Sequence, residues 1–261
     1  MKANKAEIIE TVGLTKRFGG LTAISDFNFK VKKDEIVGLI GPNGAGKSTL
    51  INLLSGYLRP TQGEVVYGGR SINHLGPNDR VELGLTRIFQ AEVLFKNMTV
   101  KQNLEIAFHL QANRNFWATL LRLKSYREKE NNILHRGEKL MEFFGLTAMA
   151  GTLAKDLPHG YKRALAVAMS IATGPQLLLL DEPLTGMNPK EVDAFLELLR
   201  KIRERGITLL IIEHNMRAIM RLSERIVVMN FGYKLAEGTP EEIVKNEQVI
   251  QAYLGRKATH G

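Results

Sequence analysis

The segment Gly41–Thr49 combines glycines, a lysine and two hydroxyl residues at a spacing that suits phosphate binding. It matches the pattern G-x-x-x-x-G-K-[S/T], in which a loop turns its backbone N–H groups inward around a triphosphate. The glycines permit positive φ, and the helix that follows points its N-terminus at the anion. On this pattern Lys47 reaches the β- and γ-phosphates, and the Ser48 hydroxyl binds Mg²⁺. The residues predicted to line the nucleotide site are Gly41, Pro42, Asn43, Gly44, Ala45, Gly46, Lys47, Ser48 and Thr49.

Two adjacent carboxylates, Asp181 and Glu182, follow the apolar run at 177–180. A buried strand that meets solvent is the simpler explanation. It does not explain two acids at the carboxyl end of a strand, where parallel sheets bind ligands. Phosphoryl transfer needs charge neutralisation, in-line geometry and an oriented nucleophile. We therefore expect Asp181 to hold Mg²⁺ through water, and Glu182 to polarise the attacking water beside the γ-phosphate.

The residues around these motifs predict the elements that position them. Residues 35–40 predict a buried strand before the loop, and 49–55 predict a helix that ends at Gly56. From residue 164 onward helical and strand patterns alternate, which implies a parallel sheet with helices on both faces. The strands and helices predicted there lie at 177–181, 192–205, 208–213, 216–222 and 226–229.

Four other stretches of the sequence have different patterns. Residues 7–35 and 63–73 alternate apolar and polar residues around Gly and Asp turns, which predicts short antiparallel strands. Residues 91–158 have helical periodicity without clear strands, and their two apolar stripes are typical of core packing. The stripes are Phe116, Trp117, Leu120, Leu121 and Leu123, and Leu134, Leu140, Met141, Phe143 and Phe144. Thr239 and Pro240 open a short helical unit at 239–254, as N-cap and first-turn residue.

The predicted fold class is α/β, a P-loop NTPase core with a parallel sheet, a small antiparallel β subdomain and an inserted α-helical subdomain. Residues 1–90 are expected to form the antiparallel subdomain and the first part of the nucleotide-binding core. Residues 91–158 are assigned to the helical subdomain, 159–238 to the second part of the core, and 239–261 to a C-terminal helical tail.

The composition limits the remaining possibilities. With 261 residues and 44% hydrophobic content, the chain can bury one sizeable core that carries an inserted subdomain. No apolar run approaches the ~20 residues of a membrane-spanning helix, and the first residues lack the apolar stretch of a signal peptide. We therefore expect a cytoplasmic protein. The absence of cysteine excludes disulfides and thiolate metal sites.

The net charge of +9 is compatible with nucleic acid, with an anionic membrane surface, or with a polyanionic nucleotide and ordinary solvation. The densest basic cluster is interleaved with Glu128 and Glu130, as on a solvated helix face; contact with acidic lipid is the next interpretation. The cluster consists of Arg114, Arg122, Lys124, Arg127 and Lys129. Because the sequence has no aromatic–basic stacking motif, we expect no nucleic-acid partner.

Taken in order, these motifs resemble those of the ATP-binding subunit of an ABC transporter, over nearly the whole chain. The resemblance implies that Gln90, in the run Arg-Ile-Phe-Gln, is the glutamine-loop residue that contacts Mg²⁺ and water. It also implies that His214 is the switch histidine at the γ-phosphate, and that Phe18 stacks on adenine. A lone histidine at a strand end is usually structural, and an exposed aromatic ring can simply pack. In order with the loop and the paired acids, both have a ready place in a phosphate site.

The chain departs from the family pattern at the signature motif, which is usually Leu-Ser-Gly-Gly-Gln. The corresponding residues here are Leu157, Pro158, His159, Gly160 and Tyr161. In the family this motif completes the ATP site of the opposite subunit, and its serine donates a hydrogen bond that Pro158 cannot give. Gly160 and a helix that starts near it can still offer backbone N–H groups and a positive dipole end. A second departure is Asn188, which stands at the usual D-loop aspartate.

Further segments resemble the larger ATPase subunit of branched-chain amino acid importers, among them residues 17–20, the long stretch from 90 to 157 and the ending at 238–255. The resemblance implies ATP and Mg²⁺ as cofactors, and a second ATPase subunit, identical or more often non-identical. It implies two membrane permeases above the ATPases, and a solute-binding protein as an indirect partner. The implied function is ATP-driven uptake of branched-chain or related amino acids, performed peripherally at the cytoplasmic face of the cell (inner) membrane. Two alternatives stay open: the ATPase of a lipid or lipopolysaccharide exporter, and a non-transport ABC ATPase.

Overall fold

The centre of the computed structural model, which describes residues 6–89, 93–112 and 124–254, is a mainly parallel sheet. Its strands are β3 (Ile36–Ile40), β6 (Leu85–Ile88), β7 (Leu177–Asp181), β8 (Thr208–Ile212), β9 (Arg225–Asn230) and β10 (Tyr233–Gly238). They lie in the order β10-β9-β3-β8-β7-β6, and all neighbours run parallel except β10 and β9. Every residue of β3 and β8 is buried, so the predicted continuous apolar strands are confirmed.

Helices fill the connections between these strands. In chain order they are α1 (Lys47–Leu54), α2 (Pro77–Glu82), α3 (Val100–Ala112), α4 (Lys124–Phe143), α5 (His159–Ala172), α6 (Pro189–Glu204), α7 (Met216–Leu222), α8 (Pro240–Lys245) and α9 (Glu247–Leu254). The helices predicted on either side of the paired acids are confirmed, with shifts of a few residues at their ends. In the described part of the chain, no helix is both long and apolar enough to cross a bilayer.

Alternate residues of each parallel strand pack on opposite faces of the sheet, as the twofold period of a strand requires. On one face Leu178 and Leu180 belong to a buried cluster that includes Leu165 of α5 and Phe195 of α6. On the other face Leu177, Leu179 and their neighbours pack with α1 and with a second sheet. Each face of the parallel sheet therefore packs into its own hydrophobic core. The loops that follow the parallel strands leave the sheet at its carboxyl edge.

The second sheet is antiparallel throughout, as the alternating pattern predicts. Its strands are β1 (Glu7–Phe18), β2 (Leu21–Lys32), β4 (Gln62–Tyr67) and β5 (Arg70–Ser71). The prediction of short strands is wrong for β1 and β2, which have twelve residues each. The reason is that Gly13 and Asp26, at φ +58° and +43°, lie where the pairing register shifts. A bulge lets a strand continue past such residues, whereas the sequence pattern suggests a turn there.

The region predicted to be helical contains α3 and α4, followed by single 3₁₀ turns at Thr147–Met149 and Ala154–Asp156. Of the second predicted stripe, Leu140, Met141 and Phe144 are buried in the same cluster as α5, so core packing is confirmed there. The first stripe, at 116–123, lies outside the described residues. The described backbone has only one strand-like feature here, an isolated bridge between Thr99 and Leu153.

The C-terminal unit begins where its N-cap signal predicts. The Thr239 hydroxyl accepts a hydrogen bond from the Glu242 N–H, the Glu242 carboxylate accepts one from the Thr239 N–H, and α8 starts at Pro240. Strand β10, just before it, was not among the predicted elements. Three of its six residues are exposed and three are half-buried because it lies at the edge of the sheet, so it lacks the apolar run that identifies the central strands.

Candidate nucleotide site

The predicted phosphate loop connects β3 to α1 at the carboxyl edge of the parallel sheet. Gly41, Pro42 and Ala45 are buried, whereas Asn43 and Gly44 are exposed. Gly46 lies at φ +102°, and a Cβ atom there would lie 2.7 Å from the Ala23 carbonyl oxygen. This position therefore requires glycine both for its backbone angle and for space.

Lys47 points back into this loop. Its Nζ atom donates hydrogen bonds to the carbonyl oxygens of Gly41 and Pro42, at 2.6 and 3.1 Å. The side chain is buried, so its charge is held within the loop and not in solvent. Ser48 is exposed and Thr49 half-buried in the first turn of α1, where backbone N–H groups have no helical acceptor. The loop thus offers a cation, a hydroxyl and backbone donors to an anion.

Asp181 ends β7 and forms an ion pair that the sequence reasoning missed. Its Oδ2 atom lies 2.9 Å from a guanidinium nitrogen of Arg87 on β6, and both side chains are largely buried. Arg87 also donates to Asn52 Oδ1 on α1, at 2.6 Å, and its guanidinium carbon lies 4.5 Å from the centre of the Phe89 ring. The arginine therefore connects the phosphate-loop helix, the Asp181 carboxylate and the strand that leads to residue 90.

Glu182 and His214 come together at the same edge of the sheet. Glu182 Oε1 lies 3.5 Å from His214 Nδ1. The backbone of Glu182 is left-handed, with φ +47°, which is uncommon for a residue other than glycine. His214 is well exposed and Glu182 is half-buried, so both polar groups are accessible from the loop side.

Glu213, beside His214, is a second residue that the sequence reasoning missed. Its carboxylate accepts N–H hydrogen bonds from Leu184 at 2.8 Å, from His214 at 3.1 Å and from Asn215 at 3.3 Å. Burial raises the pKa of Glu213, although these bonds and the neighbouring His214 act in the opposite direction. The only signal in the sequence was an acid next to the predicted switch histidine.

Two predicted residues of the site remain, Phe18 and Gln90. Phe18 ends β1 with 46% of its surface exposed, and the Lys16 ammonium lies 5.1 Å from the centre of its ring. The ring is therefore open to a flat ligand. Gln90 lies outside the described residues.

The signature segment forms the start of α5. Pro158 is the N-cap, His159 is the first helical residue, and both are exposed, whereas Leu157 is buried. The predicted helix start is confirmed to within one residue of Gly160. The side chain of the N-cap residue, Pro158, makes no hydrogen bond to the first turn, so this cap leaves the positive end of the helix open.

The signature segment packs against the segment of the same chain that follows Glu182. A Cβ atom on Gly160 would lie 3.1 Å from Glu191 Oε1, and one on Gly186 would lie 3.4 Å from the His159 ring. Asn188 caps α6 by accepting N–H bonds from Lys190 and Glu191. Asparagine caps helices as well as aspartate does, so this departure keeps the local geometry.

The C-terminal helix also reaches the phosphate loop. Tyr253, on α9, packs against the core cluster that contains Ile40 and Val228. Burial raises the pKa of Tyr253 to about 12, opposed by a backbone hydrogen bond with Gly41. The last described turn of the chain is therefore in contact with the first residue of the loop.

Comparison with known proteins assigns this arrangement to a family. Residues 24–185 match the family model described as ABC transporter, and residues 234–259 match the one described as branched-chain amino acid ATP-binding cassette transporter. The high-affinity branched-chain amino acid transport ATP-binding protein BraF of Pseudomonas aeruginosa is 43% identical over 249 residues, which cover 95% of this chain and 98% of BraF. LivG of Escherichia coli K12, described in the same words, is 41% identical with the same coverage.

A solved structure has the same fold. The crystal structure of the ADP conformation of MJ1267, an ATP-binding cassette of an ABC transporter, superimposes with a TM-score of 0.84 at 28% sequence identity. The match covers 96% of this chain and 99% of MJ1267. The predicted α/β fold, with its P-loop NTPase core, is thereby confirmed.

Proposed function

We propose, from the premise that this chain belongs to the ABC transporter family and to its branched-chain amino acid ATP-binding branch, that it hydrolyses ATP to drive uptake of branched-chain or related amino acids. The observation that carries the hydrolytic part is the meeting of Glu182 and His214, 3.5 Å apart, at the sheet edge where the phosphate loop emerges. The match of residues 234–259 supports the amino acid branch over the exporter alternative.

In the proposed site the loop backbone and Lys47 hold the β- and γ-phosphates, and Phe18 stacks on adenine. The Ser48 hydroxyl and the Asp181 carboxylate are hard oxygen donors, which suits Mg²⁺. Gln90 is the third proposed ligand of the metal. When bound, the metal neutralises charge on the phosphate oxygens. Glu182 accepts a hydrogen bond from the attacking water and orients it, while His214 contacts the γ-phosphate.

We propose that the working unit is an assembly of several chains. Leu157, Pro158, His159 and Gly160 would complete the ATP site of a second, non-identical ATPase subunit, and that subunit would complete the site described above. ATP then holds the two subunits together, and loss of the γ-phosphate releases them. Two membrane permeases, served by a solute-binding protein, would receive this motion through residues 91–158 at the cytoplasmic face of the membrane.

This assembly gives each part of the chain a role. Residues 1–90 and 159–238 are assigned to the nucleotide-binding core with its antiparallel sheet, 91–158 to the permease-facing subdomain, and 239–261 to the tail. The division remains a proposal. Labelled-leucine uptake that requires this chain together with two co-purifying permeases would support the proposed transport, whereas co-purification with an exporter permease would contradict it.

The hydrolytic role is tested with Glu182→Gln, which keeps the shape of the side chain but removes its charge. Loss of an oriented general base lowers kcat by about a hundredfold or more, whereas the affinity for a fluorescent ATP analogue should change by less than about twofold. Phosphate release measures the first quantity and a binding titration the second. Glu197→Gln, at an exposed position on α6, is the matched control. Retention of most ATPase activity in the Glu182 variant would refute the assignment.

A further inference from the structure

Glu213 is a buried carboxylate with no role in the proposed chemistry. It follows the last residue of β8, and only 2% of its surface is exposed. Both of its oxygen atoms accept hydrogen bonds: Oε1 from the Leu184 N–H, and Oε2 from the N–H groups of His214 and Asn215. Burying a carboxylate without hydrogen bonds is costly, and here these three N–H donors offset that cost.

The donors come from two separate segments of the chain. Leu184 lies two residues after Glu182, whereas His214 and Asn215 lie beyond β8, where Asn215 caps α7. One side chain therefore ties the segment after β7 to the segment after β8. A second tie lies directly beside it, since the Glu182 N–H donates to the Ile212 carbonyl oxygen at 2.9 Å.

These two ties hold the unusual backbone of Glu182. A left-handed conformation at a residue other than glycine persists only when its surroundings enforce it. The bond to Ile212 anchors Glu182 itself, and the bond from Leu184 to Glu213 anchors the residues after it. With both in place, the Glu182 carboxylate meets the His214 ring at 3.5 Å.

We propose that Glu213 is a positioning residue, whose carboxylate keeps the Glu182 turn and the His214 backbone in register so that the two side chains reach the same phosphate. The proposal rests on the proposed function for the roles of Glu182 and His214. Glu213 touches neither ATP nor the attacking water, and acts only through the backbone of Leu184, His214 and Asn215.

The test is Glu213→Gln in the full chain, assayed for ATP hydrolysis in the assembly with its partner ATPase and permeases. Glutamine has only one side-chain oxygen, and its NH₂ group cannot accept a hydrogen bond. The variant therefore loses either the bond from Leu184 or the bonds from His214 and Asn215. Because small displacements of reacting groups have large effects on rate, we expect kcat to fall roughly tenfold to a hundredfold. The KM for ATP should stay within about twofold, since the phosphate loop is untouched.

Glu35→Gln is the matched control. Glu35 is also a buried glutamate with hydrogen-bonded oxygens, but it precedes β3, at the end of the sheet away from the loop. Both variants should lower the urea midpoint of unfolding, and only Glu213→Gln should lower kcat. Equal losses of kcat in the two variants, or an unchanged kcat in Glu213→Gln, would overturn the proposal.

A second variant decides the case in which Glu213→Gln does not fold. Glu213→Asp keeps the charge but is one methylene shorter, so it reaches only one of the two segments. We expect it to fold and to lower kcat; wild-type kcat would overturn the positioning role. Wild-type hydrolysis that is lost in Glu182→Gln but intact in both Glu213 variants refutes this inference alone. Absence of hydrolysis by the wild-type assembly of this chain with its partner ATPase and permeases refutes the proposed function as well.

Discussion

Single side chains at the carboxyl edge of the sheet are held by partners that the motifs do not contain. Arg87 is the clearest example, because its guanidinium contacts Asp181, Asn52 and the Phe89 ring together. The Asp181 carboxylate is largely buried, and a buried carboxylate without a counter-charge is strongly disfavoured. The ion pair therefore both stabilises the edge and fixes the carboxylate that is proposed to hold the metal.

Arg87→Met is expected to destabilise the fold more than the loss of an exposed arginine does. The change leaves the Asp181 charge and the Asn52 amide oxygen without their partner, so the free energy of unfolding should fall by about 1–3 kcal/mol. Arg221→Met is the control, since the Arg221–Asp193 pair is exposed on both sides and should contribute at most about 1 kcal/mol. Urea denaturation without nucleotide measures both. Equal losses would show that the buried pair has no special role.

At the residue scale, the sequence is better at identifying groups that are proposed to bind or act on a ligand than at identifying groups that hold other side chains in place. Lys47, Asp181 and Glu182 stand in local patterns whose spacing is tied to phosphate chemistry. Arg87 and Glu213 have no such pattern, because their partners come from other strands and loops. Arg87 lies beside Asp181 only through the parallel register of β6 and β7, in which Ile88 pairs with Leu180. Strand order cannot be read from one sequence.

At the scale of elements, one network fastens the opposite end of the sheet. Arg225, at the start of β9, donates to both carboxylate oxygens of Glu35, at 2.8 and 2.9 Å. It also donates to the Lys30 carbonyl oxygen on β2 and pairs with Glu237 on β10. Both sheets and the edge strand are therefore joined at one guanidinium, which a fork of N–H donors makes possible.

Glu35→Gln tests this network through the pH dependence of stability. Burial alone would raise the pKa of Glu35, but the Arg225 guanidinium and the Lys32 N–H outweigh burial and leave the pKa below its ordinary value. The unfolded chain therefore binds the proton first as the pH falls, and the stabilisation is lost through the folded pKa. At pH about 7 the variant should be less stable by about 1–3 kcal/mol. As the pH falls below the ordinary glutamate range and through the lower pKa of the folded protein, the two proteins should converge.

Urea denaturation across that pH range measures the effect. Glu64→Gln, at an exposed position of β4, is the control and should follow the wild-type protein at every pH. A difference in stability between Glu35→Gln and wild type that does not shrink as the pH falls through the acid range would show that the charge of Glu35 is not responsible.

The elements themselves were largely predictable, and the exceptions have physical reasons. Buried parallel strands and capped helices have strong local signals, as β3 and α8 illustrate. Strands β1 and β2 were predicted to be short because glycine and aspartate usually mark turns, whereas here bulges absorb them. Strand β10 was missed because an edge strand is only half-buried and is held by pairing with β9.

At the scale of the whole molecule, the site described here is half of a proposed pair. The phosphate loop and the signature helix α5 lie on one chain, but in the proposed assembly each faces a different ATP. The segment from Gly186 to Glu191 packs on α5 and follows Glu182 in sequence, so it joins the two half-sites within the chain. A change at the signature should therefore alter turnover without altering nucleotide binding by this chain alone.

Pro158→Ser tests this arrangement in the assembled importer. Serine is a good N-cap, so α5 should keep its start and the stability should not fall. The hydroxyl adds a donor toward the γ-phosphate bound by the partner subunit, and one such hydrogen bond corresponds to a rise in kcat of roughly two- to tenfold. Phosphate release by the assembly measures kcat, and ATP binding by the isolated chain should stay unchanged. Pro77→Ser, at the start of α2, is the control. Equal turnover in the two variants would place the signature away from the partner's nucleotide. A change in the ATP affinity of the isolated Pro158→Ser chain would place the signature at this chain's own nucleotide. Either result would contradict the head-to-tail arrangement.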